Sequence, residues 1–180
     1  MPAICSMVRI ISGCFKGHLI KTNQNPLLRP TSDRVKESLF SILGNLDNQR
    51  VIDLFAGSGN LGLEAISRGA ESCIMVENNS QQIRLIEENI SRLGLEDVVR
   101  IVKNDVRRFL KKPPETDLIL ADPPYNYQYF NELLNLLIGK FKAATIALEA
   151  GKHLVIPENI QNYVQSQRLI GETSLTIMRV

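Results

Sequence analysis

The segment LILADPPYNY, Leu118 to Tyr127, ends a short apolar run on a carboxylate, fixes the next turn with two prolines and follows them with a tyrosine. That order of residue types suits group transfer to an exocyclic amine on a nucleobase. Such an amine is a poor nucleophile, because its lone pair is delocalised into the ring. Two acceptors on its hydrogens would orient the lone pair outward and favour the positive charge that develops on nitrogen. Asp122 offers one acceptor, and a main-chain carbonyl held by Pro123 and Pro124 offers the other. Tyr125 supplies a ring on which the base can stack. The product ammonium is acidic, so no separate general base is required. The plainer reading, a Pro-Pro turn after a strand, accounts for none of this coincidence.

A second constellation stands upstream. Gly57-Ser58-Gly59-Asn60-Leu61-Gly62 fits GxGxxG between an apolar strand and a helix, where glycines permit close approach of a ligand to backbone and the helix start offers free N–H groups. Glu77 follows about 20 residues on, where an acid can accept hydrogen bonds from ribose hydroxyls. Both features suit NAD and S-adenosylmethionine equally. Asp53, four residues before Gly57, separates them. A carboxylate there repels a pyrophosphate but favours the ammonium and sulfonium of S-adenosylmethionine. Asp105 stands where a third strand ends; it can accept from the adenine amino group, cap the helix that follows, or do both. Phe55, Asn78 and Asn104, beside these positions, complete the candidate cofactor set of Asp53, Phe55, Gly57, Gly59, Glu77, Asn78, Asn104 and Asp105. No GK[ST] follows the glycines, which excludes Walker A. Cys5, Cys14 and Cys73 form no CxxC pair, and with only His18 and His153 beside them no metal-ligand spacing appears; no metal is expected.

These residues need elements to hold them. VIDLFA, CIMVE, VRIVK, DLILAD and HLVIPE read as strands, alternating with helices over NLGLEAISRG, SQQIRLIEENISRLG, VRRFLKK and Gln128 to Ile138. Apolar strands alternating with amphipathic helices predict an α/β fold, a mostly parallel Rossmann-like sheet covered on both faces. Gln167 to Val180 reads as a closing hairpin turning at Gly171 and Glu172, which brings the expected strand number to seven. At the front, MVRIISG and GHLIKT predict a β-hairpin around CFK, and Pro26 and Pro30 punctuate a loop. From Thr31, a candidate N-cap, Val35, Leu39, Ile42, Leu43 and Leu46 recur at helical spacing, ending near Gly44 to Asn48. The expected organisation is a hairpin arm and loop over 1–30 and one catalytic unit over 31–180.

With 180 residues, 44% of them apolar and 22% charged, the chain suits one folded domain. No window approaches the ~18 apolar residues of a membrane span, and the amino terminus lacks a secretory pattern, so a cytoplasmic protein is expected. Net charge is +2, but residues 1–50 hold seven Lys or Arg against three acids. That surplus is either a solvated surface or a phosphate-contacting arm, with Arg9, Lys16, Arg29 and Arg34 as candidates for RNA. Arg34 can instead pair with Asp33 or Glu37, or lie beside the active site.

RIISGCFKG, LRPTSDRVKESLF, DLFAGSGNLGLEAISRGA and DPPY together resemble the RsmD family of bacterial methyltransferases, from Arg9 through about Tyr125 and more weakly beyond. The resemblance implies a class I methyltransferase fold with S-adenosylmethionine as donor. It also implies guanine N2 of small-subunit ribosomal RNA as acceptor, usually numbered guanine 966 of 16S rRNA. The expected substrate is the small subunit or a late assembly intermediate, and the expected state is a monomer. The chain departs from the family pattern at Ser12-Gly13, Gly17-His18 and Asn78-Asn79, and with Pro157 where the fifth strand should end. A DNA adenine-N6 methyltransferase would share AGSG and DPPY, though this chain has no room for a target-recognition domain. A third reading is a non-catalytic clamp on ribosomal RNA.

Overall fold

Strands that read as unbroken apolar runs must be covered on both faces. The computed structural model, which describes residues 5–23 and 33–180, covers them so. In chain order the elements are β1 (Cys5–Arg9), β2 (Leu19–Asn23), α1 (Asp33–Leu43), β3 (Arg50–Leu54), α2 (Asn60–Ser67), β4 (Ser72–Glu77), α3 (Ser80–Leu93) and β5 (Val99–Lys103). They continue with α4 (Val106–Phe109), β6 (Leu118–Ala121), α5 (Phe130–Lys140), β7 (Thr145–Gly151), a 3-10 turn over Glu158–Tyr163, β8 (Val164–Ile170) and β9 (Thr173–Arg179).

The sheet has seven strands in the order β5-β4-β3-β6-β7-β9-β8. The pairs from β5 to β7 are parallel, and β9 runs antiparallel between β7 and β8. All four residues of β6 are buried, as befits a strand with helices on both sides. The local signals explain the boundaries. Asn79 accepts from the backbone N–H groups of Gln81 and Gln82 and so caps α3, which is what this departure from the family pattern does here. Val35, Leu39 and Phe40 bury one face of α1, which ends as expected at Gly44. Among the described residues no helix is long and apolar enough to cross a membrane.

Two expectations are corrected. HLVIPE is not a strand: the fifth parallel strand is TIALEAG, Thr145–Gly151, and Val155 is 82% exposed. Alanines and a glutamate make TIALEAG a poor strand former in isolation, but its place between β6 and β9 buries five consecutive residues, and tertiary packing overrides propensity. Pro157 therefore does not end a strand; it precedes the 3-10 turn. The helix expected from Gln128 begins at Phe130. The Pro26 and Pro30 loop, the Thr31 cap and the boundary at residue 30 lie outside the described residues.

The front hairpin forms as a separate two-stranded sheet, with Met7 opposite Lys21 and Arg9 opposite Leu19. Its connecting segment lies along α2. The backbone N–H groups of Ile11 and Ser12 donate to the Glu64 carboxylate, Cys14 N donates to Ser67 O at 2.8 Å, and Phe15 N donates to Ser67 Oγ at 3.0 Å. His18 closes the turn, its Nδ1 lying 2.9 Å from Phe15 O. Gly13 sits at φ +85°, and a Cβ there would fall 1.7 Å from Ser67 O. Substituting Gly13→Ala should therefore lower stability by about 1–3 kcal/mol, through a strained backbone and a displaced hairpin. Urea denaturation checks this, and an unchanged midpoint would contradict the docking.

Candidate active site

In open parallel sheets ligands sit beyond the carboxyl ends of the strands, where the strand order reverses. Here the chain proceeds from β3 to β4 and β5 on one side and returns to β6 and β7 on the other. Leu54 pairs with Ala121, and Asp122 N donates to Leu54 O at 3.5 Å. The glycine loop after β3 and the DPPY turn after β6 thus leave the sheet side by side.

Asp53 lies inside the sheet, 1% exposed, with its Oδ2 accepting from Gly62 N at 2.9 Å. Gly62 allows that approach: a Cβ on it would lie 2.6 Å from the Met75 Cε and 3.0 Å from Asp53 Oδ2. Burial is the main reason the Asp53 carboxyl is pushed up to about 8; the Gly62 N–H opposes the shift, and the charges of Asp122 and Glu77 add to it. Three acids therefore share the switch point. Glu77, at the end of β4, accepts from the backbone N–H groups of Gly57, Asn78 and Asn79, tying the glycine loop to the next strand.

Beside the loop is a small cleft, open to solvent, lined by Phe55, Val76, Glu77, Asn78, Asn104, Asp105, Val106 and Tyr127. Five of these eight, Phe55, Glu77, Asn78, Asn104 and Asp105, come from the sequence-derived cofactor set. Phe55 holds φ at 62°, a left-handed conformation that bulky residues rarely adopt outside functional or over-determined positions. Its ring meets Tyr127 edge-on, with centroids 5.0 Å apart. Asp105 does cap α4, accepting from Arg107 N and Arg108 N, and also borders the cleft. Burial works to raise its pKa, but the Arg107 side chain and the two N–H groups outweigh it and hold the carboxyl below the usual range. Arg107 stacks on the Tyr129 ring at 3.6 Å and pairs with Glu132. Burial, then the nearby Asp105 charge, keeps the Tyr127 phenol neutral to higher pH than usual.

The sequence reading passed over Val76, Val106 and Tyr127. The signal for Tyr127 was present, an aromatic two positions beyond Tyr125 in a tyrosine-rich turn; the two valines carry no signal apart from strand and helix patterning. Gly57, Gly59 and Asp53 shape the loop from behind rather than line the cleft.

At the other lip, Pro123 is buried, Pro124 is exposed, and the Pro124 carbonyl accepts from Tyr127 N at 2.8 Å. Tyr125 is 58% exposed, and its hydroxyl lies 3.1 Å from Thr173 Oγ1 at the start of β9. The ring is thus presented to solvent and held at its far end. Arg9 and Lys16 are exposed on the hairpin and Arg34 is exposed on α1; none of them borders the cleft. Arg29 lies outside the described residues. Among the described residues no cluster of three or more metal-ligating side chains occurs.

The strand order, the glycine loop and the DPPY turn at the reversal define a class I S-adenosylmethionine-dependent methyltransferase fold. The family described as Conserved hypothetical protein 95 matches residues 8–179, and the chain belongs to it, the RsmD/YlbH family. YlbH of Bacillus subtilis is 35% identical over 182 aligned positions, covering 96% of this chain and 98% of its own. Ribosomal RNA small subunit methyltransferase D of Buchnera aphidicola is 35% identical over 162 positions, covering 86% of this chain and 84% of its own. The solved structure of yhhF from Escherichia coli superposes with a TM-score of 0.83 at 28% identity, covering 97% of this chain and 98% of that one.

Asp53 carries a pH signature. Its folded pKa of about 8 exceeds the ordinary value of 3.8, so the folded state holds a proton the unfolded chain has released. Its contribution to stability is complete below the ordinary value and is lost as pH rises through about 8. Thermal unfolding at about pH 5.5 and about pH 8.5, roughly 1.5 units either side of neutral, should show the wild type losing stability with rising pH and Asp53→Asn losing less. Parallel curves for the two proteins would contradict the assignment.

Proposed function

We propose that this protein transfers a methyl group from S-adenosylmethionine to the N2 amine of a guanine in 16S ribosomal RNA. Its substrate on this reading is the small subunit or a late assembly intermediate in the cytoplasm, with guanine 966 as the target. The observation that carries the reading is the pairing of Leu54 with Ala121, which sets the glycine loop and Asp122 next to each other. Membership of the RsmD/YlbH family supports the substrate class, since curated members are named as small-subunit rRNA methyltransferases.

The residues fit a cationic cofactor. Asp53, Asp122 and Glu77 lie close enough for the charges of the latter two to raise the pKa of the first. A ligand with an ammonium and a sulfonium offsets that repulsion, whereas a pyrophosphate would add to it. When bound, S-adenosylmethionine supplies an electrophilic methyl group on a sulfur that departs uncharged. Phe55, Val76, Val106 and Tyr127 give apolar surface for the adenine, Asn104 and Asp105 polar partners for its edge, and Glu77 an acceptor for the ribose hydroxyls. On the acceptor side, the Asp122 carboxylate takes one hydrogen of the guanine amine. The Pro124 carbonyl is committed to Tyr127 N, so the Pro123 carbonyl is the one available to take the other. Both acceptors orient the nitrogen lone pair and stabilise the charge that grows on it, and Tyr125 stacks on the extruded base.

Radiolabelled methyl transfer to small subunits lacking the modification, beside free rRNA and DNA, tests the whole reading. Labelled guanine in the subunits is the expected result; label in DNA adenine alone, or binding to subunits without transfer, would replace it. In the same assay Asp122→Ala should fall below a tenth of wild-type turnover while S-adenosylhomocysteine affinity stays within about threefold, because the lost contact is to the amine rather than the donor.

Arg9, Lys16, Arg29 and Arg34 are proposed to neutralise RNA phosphates. Affinity for the subunit should then fall with salt, and the Arg9→Ala, Lys16→Ala double variant should reduce the log–log slope by roughly 1.5 units. Equal slopes would make the hairpin a structural flap only.

A further inference from the structure

Two fully buried polar side chains, neither of them in the cleft, join the hairpin to the glycine loop. Asn89 of α3 is 1% exposed. Its Oδ1 accepts from Lys21 N at 2.8 Å, and its Nδ2 donates to Lys21 O at 2.9 Å and to Ser58 O at 3.0 Å. One amide thus satisfies both backbone groups of a residue on β2 and holds the carbonyl of the loop's central serine. Lys36 of α1 has no exposed surface. Its Nζ donates to Arg9 O at the end of β1 and to Asn60 Oδ1 at 3.0 Å, and lies 3.6 Å from the equally buried Glu64.

The two ties are independent and meet on either side of Gly59. One runs from β2 through Asn89 to Ser58, the other from β1 through Lys36 to Asn60. Neither side chain belongs to a strand of the sheet, and burial of an ammonium is costly unless its partners are fixed in place. Burial pulls the Lys36 pKa down, against the opposing pull of Glu64 and Asp33. What both side chains have in common is the segment Ser58 to Asn60, whose backbone must stay in one conformation to receive a ligand.

Resting on the cofactor reading above, we infer that Lys36 and Asn89 are positioning residues for S-adenosylmethionine, holding the glycine loop against the hairpin in its cofactor-binding shape. The hairpin is on this account part of the cofactor site's support as well as an arm.

The test is calorimetric titration with S-adenosylhomocysteine, alongside melting temperatures and steady-state kinetics on small subunits. Lys36→Met and Asn89→Ala should each weaken binding on the order of tenfold, as loss of buried hydrogen bonds implies. They should raise KM for S-adenosylmethionine with little change in kcat. Leu137→Ala, a core truncation in α5, is the control for stability alone, and it should lower the melting temperature without changing affinity. If Lys36→Met or Asn89→Ala fails to fold, Lys36→Gln and Asn89→Ser replace them with the same expectation at smaller size. Wild-type affinity in the folded variants, or an equal loss in Leu137→Ala, would overturn the inference while leaving the cofactor reading intact. A wild type that does not bind S-adenosylhomocysteine would overturn both.

Discussion

The parallel pairing of β3 with β6 is the constraint on which the site depends. Side chains alternate along a strand, so a slip of one residue would turn Asp53 to the opposite face of the sheet, away from Gly62, and carry Asp122 away from the loop. The register is held because β6 is only four residues long and buried throughout, leaving no alternative set of residues to occupy the core. It then ends abruptly. Prolines at 123 and 124 have no N–H to continue a ladder, and Phe55 leaves β3 in a left-handed conformation, so both chains turn off the sheet at the same level.

Within that frame, identical carboxyl groups are driven to opposite protonation behaviour by their surroundings. Asp105 has two backbone N–H groups from the start of α4 and the Arg107 guanidinium, and its pKa falls despite partial burial. Asp53 has one N–H, full burial and two acidic neighbours, and its pKa rises. Local supply of positive charge decides the outcome. Burial and acidic neighbours therefore favour the protonated form of Asp53, whereas Asp105 has a cation of its own in Arg107.

Much of this was legible in the sequence, and the failures have physical causes. The apolar runs at β3, β4, β5 and β6 have lengths and β-branched content that no helix would need, and the glycine loop and DPPY mark their ends. TIALEAG was missed because its alanines follow a helix-rich stretch and its strand character comes from neighbours β6 and β9, which a local reading does not contain. HLVIPE was mistaken for a strand because three apolar residues precede a proline; in the fold they only lead into a turn. Phe55, Glu77, Asn78, Asn104 and Asp105 were legible as residues at or just after a strand end, and these are the candidates that line the cleft. Tyr127, Val76 and Val106 were not, because their role as cleft walls depends on how separate loops stack. Lys36 and Glu64 carry no signal in the sequence, because their burial depends on contacts with the hairpin, the glycine loop and one another.

That docking divides its work between apolar and polar groups. A two-stranded hairpin is at best marginal by itself. Ile10 and Ile20 are buried on its inward face, and each stabilises docking by about 1.5–3 kcal/mol. Apolar contact alone would tolerate sliding of the hairpin along α2. Glu64 removes that freedom: it accepts from Ile11 N and Ser12 N while Arg68 and Lys36 balance its charge, and a shift of one residue would take both N–H donors from a buried carboxylate. Each hydrogen bond to a charged group contributes about 1.5–3 kcal/mol, comparable to what each isoleucine contributes, so the polar groups select a single pose from those the apolar surface would allow.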